Sequence, residues 1–438
     1  MDSCHRLITY LKAYQRISGR DDQIKGWYFG LNEQLSVKAA MKNSELGGVY
    51  GAPKAEEAIR GKLCILWQDG KRTIAALDSS VLDHFDQFVP LWRRSAYEDP
   101  QSAPIYKAAH YPEVKLFDPQ VDQWVHQGPQ ELLHLLREYR AGLEARGIKK
   151  VDASVSASTF DQVICNSEGL MIENQATSFS TYVYGDAIYG KSYLKRGMIT
   201  PGEKQYFIDH TADVVRLVSG QRSIAGGHMK VLLAPSVTEA LLHYYLLGNL
   251  GGRQVYHRKS AFSFENFVEK SAVIREDMTL ELNTLVDYAQ GSYISTYEGV
   301  PGGYLKIIAA GRLQSPLLDL KYGALMGMAP TPMAAGRGNL KFSSEKMMSW
   351  EALIGEMDQG IIVYDILGLH TQDITSGNYS LTAPNCVWVQ NGELKMGCKA
   401  VIRGNFFESL RNPTTRIGGV PGEEGPCLLI DSSVIGEK

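Results

Sequence analysis

The sequence predicts an α+β protein built as two domains, and three features carry that reading. The chain has 438 residues, and at roughly 100 to 200 residues per domain two or three units are expected. Up to residue 222, amphipathic helical stripes are mixed with alternating strands. From 223 onward most segments are short apolar runs divided by Gly, Pro and Asn, the texture of an antiparallel, β-rich domain with two or three helices. Gly220 to Gly227 is the expected join, which gives domains 1–222 and 223–438. Hydrophobic residues make up 44% and charged residues 21%, a balance that suits a folded chain with a sizeable core.

Asp2 to Ile17 places Leu7, Ile8, Leu11, Tyr14 and Ile17 on one helical face. Lys25 to Gly51 reads as short strands and turns. Lys62 to Trp67 and Thr73 to Asp78 flank Gln68-Asp69-Gly70-Lys71, which is hairpin turn chemistry. Val81 to Trp92 reads as a second helix. Pro100, Pro104, Pro112, Pro119 and Pro129 mark residues 99–130 as a loop-rich connector. Gln130 to Arg146 is the clearest helix, with His134 and Glu138 one turn apart as a surface pair.

Val151 to Tyr189 alternates about an Asn166-Ser167-Glu168-Gly169 turn and predicts a hairpin or meander. Gly202 to Ser219 follows as a helix. In the second domain Val231 to Ala234 is a short strand. Pro235 to Leu250 is a helix ended by Gly251-Gly252, and Ser349 to Asp358 is another.

Lys and Arg total 45 against 48 Asp and Glu, a formal charge of -3, and the pI is near 6.4. That balance does not suit a protein that neutralises many phosphates, so no nucleic-acid partner is expected. No apolar run approaches the roughly 18 residues of a membrane span. The first residues lack an apolar core ahead of a cleavage site. A cytoplasmic protein is expected.

The six cysteines are scattered, and the closest pair, Cys386 and Cys398, is twelve positions apart. No CxxC redox or zinc pair exists, so reduced thiols are expected. The closest two of ten histidines, His126 and His134, are eight apart. A metal site would have to be assembled from distant segments.

Three motifs offer chemistry. Gly185-Asp186-Ala187-Ile188-Tyr189-Gly190-Lys191-Ser192 satisfies the phosphate-cradling GxxxxGK[ST] pattern. That chemistry needs a long helix after the loop, whereas Gly197 and Pro201 interrupt the segment early. Successive strands of a meander are expected instead. Thr238-Glu239-Ala240-Leu241-Leu242-His243 has the outline of HExxxH without its first histidine. On an α-helix, positions i and i+5 lie about 140° apart, so paired ligands at that spacing need a distorted helix. Glu239 and His243, with His370, are the weak catalytic candidates. The third motif is the polar cluster His370, Thr371, Asp373, Thr375, Ser376 and Asn378 between two apolar strands. Such a cluster is either a self-capping loop or a site wall. His370, Thr371, Asp373, Ser376 and Asn378 are the substrate-contact candidates.

The run from Met357 to Leu394 carries a resemblance. Its Gly360, Gly368, Asp373, Thr375, Ser376, Gly377, Asn378, Tyr379, Ser380, Trp388, Asn391, Gly392 and Glu393 resemble the signature segment of the TldD/PmbA family, on its PmbA (TldE) side. His257-Arg258-Lys259-Ser260, Glu298-Gly299-Val300, Asn166-Ser167-Glu168-Gly169 and the Gly-rich stretch Ala334 to Leu340 resemble further family segments in the same order. The resemblance implies the family's two-domain fold. It also implies a division of labour, in which a TldD-type subunit holds zinc on HExxxH and pairs with a TldE-type subunit that lacks it. Together such subunits degrade or trim unfolded peptides, including leader removal, and an older family label is modulator of DNA gyrase.

The zinc motif can be laid on this chain in two registers. Thr238 to His243 loses the first His. Leu241-Leu242-His243 as the usual Leu-Leu-His start puts Tyr244 at the Glu and Gly248 at the second His. Cys427 departs from the spacing of the family's C-terminal cysteine ligand. The implied role is therefore a pseudo-active subunit that shapes the chamber and holds extended peptide. No cofactor is expected in this chain, zinc only in a TldD-type partner, and the partner is that subunit or a second copy. The alternatives are a homodimeric peptidase with a non-standard site around Glu239, His243 and His370, or a non-enzymatic peptide-binding scaffold.

Overall fold

A computed structural model describes residues 17, 19, 23–47, 51–99, 105–107, 109–333 and 338–436. The helix expected over Asp2 to Ile17 lies outside the described residues except for Ile17, and residues 334–337 of the Gly-rich stretch also lie outside them. The architecture is the expected α+β mixture, with β-rich regions in both halves.

The first sheet is antiparallel throughout. Its main strands are β1 (Ile24–Lys42), β2 (Lys54–Trp67), β3 (Lys71–Asp78), β4 (Val151–Asn166), β5 (Met171–Gly185) and β6 (Tyr189–Lys195), in the order β3-β2-β1-β4-β5-β6. Of the short strands expected in Lys25 to Gly51, most are one 19-residue strand, followed by a turn and the two-residue strand Glu45–Leu46. The polar middle of β1, Asn32 to Ser36, remains extended because β2 and β4 pair with it on both sides. The P-loop-like octapeptide is the hairpin between β5 and β6, turning at Asp186 and Ala187 with positive φ. No helix follows that turn directly.

Helices cover one face of this sheet. A single turn, Ser79–Asp83, precedes α1 (Phe85–Arg94), so the helix expected at Val81 to Trp92 is broken at His84. The connector is less loop-rich than expected. It contains α2 (Pro119–Gln127), where Pro119 occupies the first turn and the Asp118 carboxylate caps the Gln120 amide. In α3 (Gln130–Glu144), Leu132, Leu135, Leu136, Tyr139 and Leu143 fall at helical spacing and are buried against Val37, Met41 and Val155. Each such side chain contributes about 1.5–3 kcal/mol by leaving water. α4 (Pro201–Val218) begins with a complete capping box between Thr200 and Glu203. Its Val214, Val215 and Val218 share a core with Leu232, Val387 and Leu429 of the second half.

The second half contains two sheets. β8 (Met278–Asn283), β9 (Tyr304–Ala309) and β10 (Asn339–Ser344) make an antiparallel sheet extended by Arg312–Leu313. The other comprises β7 (Gly227–Leu233), β11 (Met347–Ser349), β12 (Gln359–Val363), β13 (Asn378–Gln390), β14 (Glu393–Asn405), β15 (Arg416–Gly419) and β16 (Pro426–Gly436). Because β16 pairs with both β14 and β7, strands β7-β12-β13-β14-β16 close into a ring. Two pairings, β7 with β12 and β11 with β15, are parallel. Val231, Leu232 and Leu233 are fully buried, with Leu232 facing the α4 side and its neighbours the opposite core. That explains a continuous apolar run where a half-exposed strand would alternate.

Candidate functional site

The helix leaving β7 positions the candidate site. It runs Pro235–Leu241, widens into a π-helical stretch at Leu242–Leu247, and closes with Gly248–Leu250; together these are α5. The Gly248 N–H donates to the His243 carbonyl, five residues back, the hydrogen bond that defines a π turn. This is the distortion that ligands at i and i+5 require. It falls on His243 to Gly248, the second of the two registers.

The residues there do not fit a zinc site of that kind. Tyr244 stands at the position of the acid and Gly248 at that of the second imidazole. A Cβ on Gly248 would lie 2.3 Å from Ile374 Cδ1, so the free end of that half-buried side chain would have to turn aside before a ligand side chain could enter. Cys427 is fully buried in β16, and burial pushes its thiol up to about 12, which disfavours the thiolate a metal would need. Among the described residues, no group of three or more His, Cys, Asp and Glu side chains is placed to hold a metal ion.

The loop between β12 and β13 lies directly against α5. Tyr244 Oη donates to the Gln372 carbonyl at 2.6 Å and Tyr245 Oη to the Asn378 carbonyl at 2.8 Å. Asn249 is fully buried. Its Nδ2 donates to the carbonyls of Tyr245 and Ile374, both at 2.8 Å, and its Oδ1 accepts from the Ala261 amide at 2.7 Å. Ser260, from the family-like His-Arg-Lys-Ser segment, donates to the Asn249 carbonyl at 2.6 Å. One amide side chain thus ties together the helix, the loop and the segment after it.

The sequence candidates fall into this frame unevenly. His243 Nε2 lies 3.6 Å from Glu239 Oε1, and with side chains 42% and 54% exposed the two form a surface pair one turn apart. His370 is exposed on the one-turn helix Leu369–Thr371. Among the described residues, no hydrogen bond or ion pair joins it to Glu239 or His243. Thr371, Asp373, Ser376 and Asn378 mostly bond within their own loop. Asp373 Oδ1 accepts from the Thr375 amide at 2.9 Å and hydroxyl at 2.8 Å, and these donors, the amide first, hold its carboxyl below the usual range. Thr371 Oγ1 donates to the Gly368 carbonyl, Ser376 Oγ to the Asp373 carbonyl, and the Asn378 amide to Ser376 Oγ. Gly377, at φ +73, packs where a Cβ would be 2.4 Å from Phe407.

Sequence reading named Tyr244 only at the position of the zinc motif's acid and missed Tyr245, Asn249, Gln372 and Asn405, which with it fix the loop. Asn405 Nδ2 donates to the Ser376 carbonyl at 2.8 Å and to Asn378 Oδ1 at 3.0 Å. The one signal available for Asn249 was a lone amide in the run Tyr244 to Leu250, which is otherwise free of amides and charges.

The chain is similar to several known proteins. Residues 226–419 match the family model for the PmbA/TldA metallopeptidase C-terminal domain. The metalloprotease PmbA homolog of Buchnera aphidicola is 25% identical over 283 residues, which cover 61% of this chain and 60% of that protein. The match thus spans less than two thirds of that relative's length. The fold is similar to that of TldE from Thermococcus kodakarensis, with a TM-score of 0.83 and 15% identity over 97% of this chain and 100% of that one. It is also similar to a protein from Thermotoga maritima described as a putative modulator of a DNA gyrase, with a TM-score of 0.79 and 17% identity over 96% of this chain and 98% of that one. The family match thus identifies residues 226–419 as a PmbA/TldA metallopeptidase C-terminal domain, in a chain whose fold is that of the TldE structure.

Proposed function

We propose that the chain is the non-zinc, PmbA/TldE-like subunit of a peptidase complex that degrades or trims unfolded peptides. The observation that supports this reading best is the π turn from His243 to Gly248. The chain keeps the turn that would present two ligands, yet carries Tyr244 in place of the acid and Gly248, with no side chain, in place of the second imidazole. In this role the catalytic zinc belongs to a TldD-type partner. This chain completes the chamber and helps hold an extended substrate, whose backbone can add to a sheet edge with little dependence on side chains. The edge strand β10 offers such a ladder. Where no zinc partner is present, a second copy takes the partner's place.

The test is co-expression with a TldD-type neighbour, followed by assay of an unfolded peptide with each chain alone and with the mixture. Activity and stable co-purification confined to the mixture support the subunit reading. Activity of this chain alone, lost on changing Glu239, His243 or His370, supports the non-standard homodimeric peptidase. Peptide binding without hydrolysis in any combination supports the scaffold.

A further inference from the structure

A second cluster of chemically active side chains lies on the other side of β7. A cavity of about 110 Å³ opens between β6, α4 and the ring of strands. Its wall includes Tyr189, His210, Asp213, Trp350, Tyr364 and Glu423. The four rings enclose it at right angles or tilted: Tyr189 to Tyr364 at 6.2 Å, His210 to Tyr364 at 6.5 Å and Trp350 to Tyr364 at 6.4 Å between centroids.

Two groups in this wall have unused capacity. Tyr364 is 7% exposed, lines the cavity, and its hydroxyl has no hydrogen-bond partner among the described residues. The hydroxyl is not sealed from solvent, so a guest N–H group can take the place of water on it. Glu423 spends only one oxygen: Oε1 receives Lys191 Nζ at 2.9 Å and Tyr206 Oη at 2.9 Å, with His210 Nε2 at 3.5 Å. Its Oε2 has no partner among the described residues.

The chemistry of the wall selects a cation. Aromatic faces attract one electrostatically within about 6 Å, and Glu423 Oε2, open to solvent, can receive its N–H groups. Lys191 is already committed to Glu423, and Asp213 to Arg216 at 3.0 Å on the surface. His210 has its pKa pulled down to about 4, by burial first and then by Lys191, so it is neutral at pH 7 and does not repel a positive guest.

We propose that this cavity binds a small primary ammonium group on a short apolar stem, donating to Glu423 Oε2 and Tyr364 Oη. The group can come from a free amine or from the amino terminus or a lysine of a peptide. This inference does not rest on the subunit reading, because the chain is tested by itself without a zinc partner.

The probe is n-butylammonium, titrated calorimetrically into the full chain, with 1-butanol and butyrate as neutral and anionic counterparts. Saturable binding of the ammonium alone is expected, weakened about tenfold in E423Q and severalfold in Y364F, each checked for a wild-type melt. Tripeptides with free or acetylated amino termini, and with lysine or norleucine, then distinguish the sources. If butanol or butyrate binds as well as the ammonium, or if folded wild-type chain binds none of them, the proposal is overturned. Unchanged affinity in a folded Y364F together with unchanged affinity in a folded E423Q also overturns it. Should E423Q not fold, Y364F and the ligand series decide.

Discussion

The amide of Gly248 donates to the carbonyl of His243 five residues earlier, and Ile374 stands at the point where a side chain on Gly248 would emerge. The two facts belong together. A π turn brings positions i and i+5 toward one face of a helix, which an ordinary α-helix cannot do. Here that geometry presents a histidine and a glycine, with the loop of β12–β13 seated against the glycine.

Gly248→His should therefore destabilise the fold rather than complete a site. At 2.3 Å the new Cβ meets the free end of the half-buried Ile374 side chain, which can turn aside, so the cost lies at the low end of overpacking, about 1 kcal/mol. Ile374→Ala in the same chain should recover most of that loss, since the two positions touch and their effects are not additive. Urea denaturation of both single variants and the double variant measures the coupling. Additive losses would show that Ile374 is not what excludes the side chain.

Asn249→Ala should loosen the loop more than any change to the loop's own polar residues. It strips the donor from the Ile374 carbonyl and the acceptor from the Ala261 amide, and each of these part-buried hydrogen bonds is worth about 0.5–1.5 kcal/mol. Hydrogen exchange should speed up across residues 368–378 and 260–262 together. By contrast, Thr375→Ala removes one hydroxyl from exposed Asp373 and should change global stability by less than about 0.5 kcal/mol.

Much of this frame was legible in the sequence, for local reasons. Asp69-Gly70 and Asn166 to Gly169 encode their turns within four residues, and Thr200-Pro201 with Glu203 encodes a helix start. The single strand β1 was not legible, because Asn32 to Ser36 looks like a break and is held extended only by partners from elsewhere. α2 was hidden because a proline at the first turn reads the same as a proline in a loop. The spacing rule for i and i+5 called for a distorted helix, but nothing in Leu242 to Leu247 announces a π turn. The cavity around Tyr364 was invisible, since its walls come from β6, α4, α5 and the loop before β16.

The His210 side chain sets a pH dependence whose sign is fixed. Its folded pKa, near 4, lies below the ordinary value of 6.5, through burial and Lys191 against the opposing pull of Glu423 and Asp213. Between those values the unfolded chain binds the extra proton, so stability falls as pH drops from about 6.5 to about 4 and levels off below. Tyr189, Tyr206 and Tyr364 also face the ring, but burial raises their pKa values, so they stay neutral throughout this window. The loss attributable to His210 is about 2–3 kcal/mol, since the side chain is only 16% exposed. In His210→Gln that part of the slope should vanish, as read from denaturation midpoints at pH 7 and pH 4.5. An unchanged slope would place the titrating group elsewhere.

Asp277 should act in the acid range below this. Hydrogen bonds from Arg275, at 2.8 and 2.7 Å, hold its carboxyl down at about 2, with Ser344 adding a further donor. A depressed folded pKa gives stability that is complete above about pH 4 and lost as pH falls toward 2. Asp277→Asn should cost about 2 kcal/mol at pH 7 and flatten the decline between pH 4 and 2, measured by thermal melts across that range.

The most direct test of the central claim is metal analysis of the purified chain after exposure to zinc, with peptide hydrolysis assayed on the same sample. With Gly248 at the second ligand position and Ile374 against it, the account predicts only trace, readily dialysed zinc and no hydrolysis that chelation abolishes. One tightly held zinc per chain, with peptidase activity removed by chelator and restored by zinc, would contradict it.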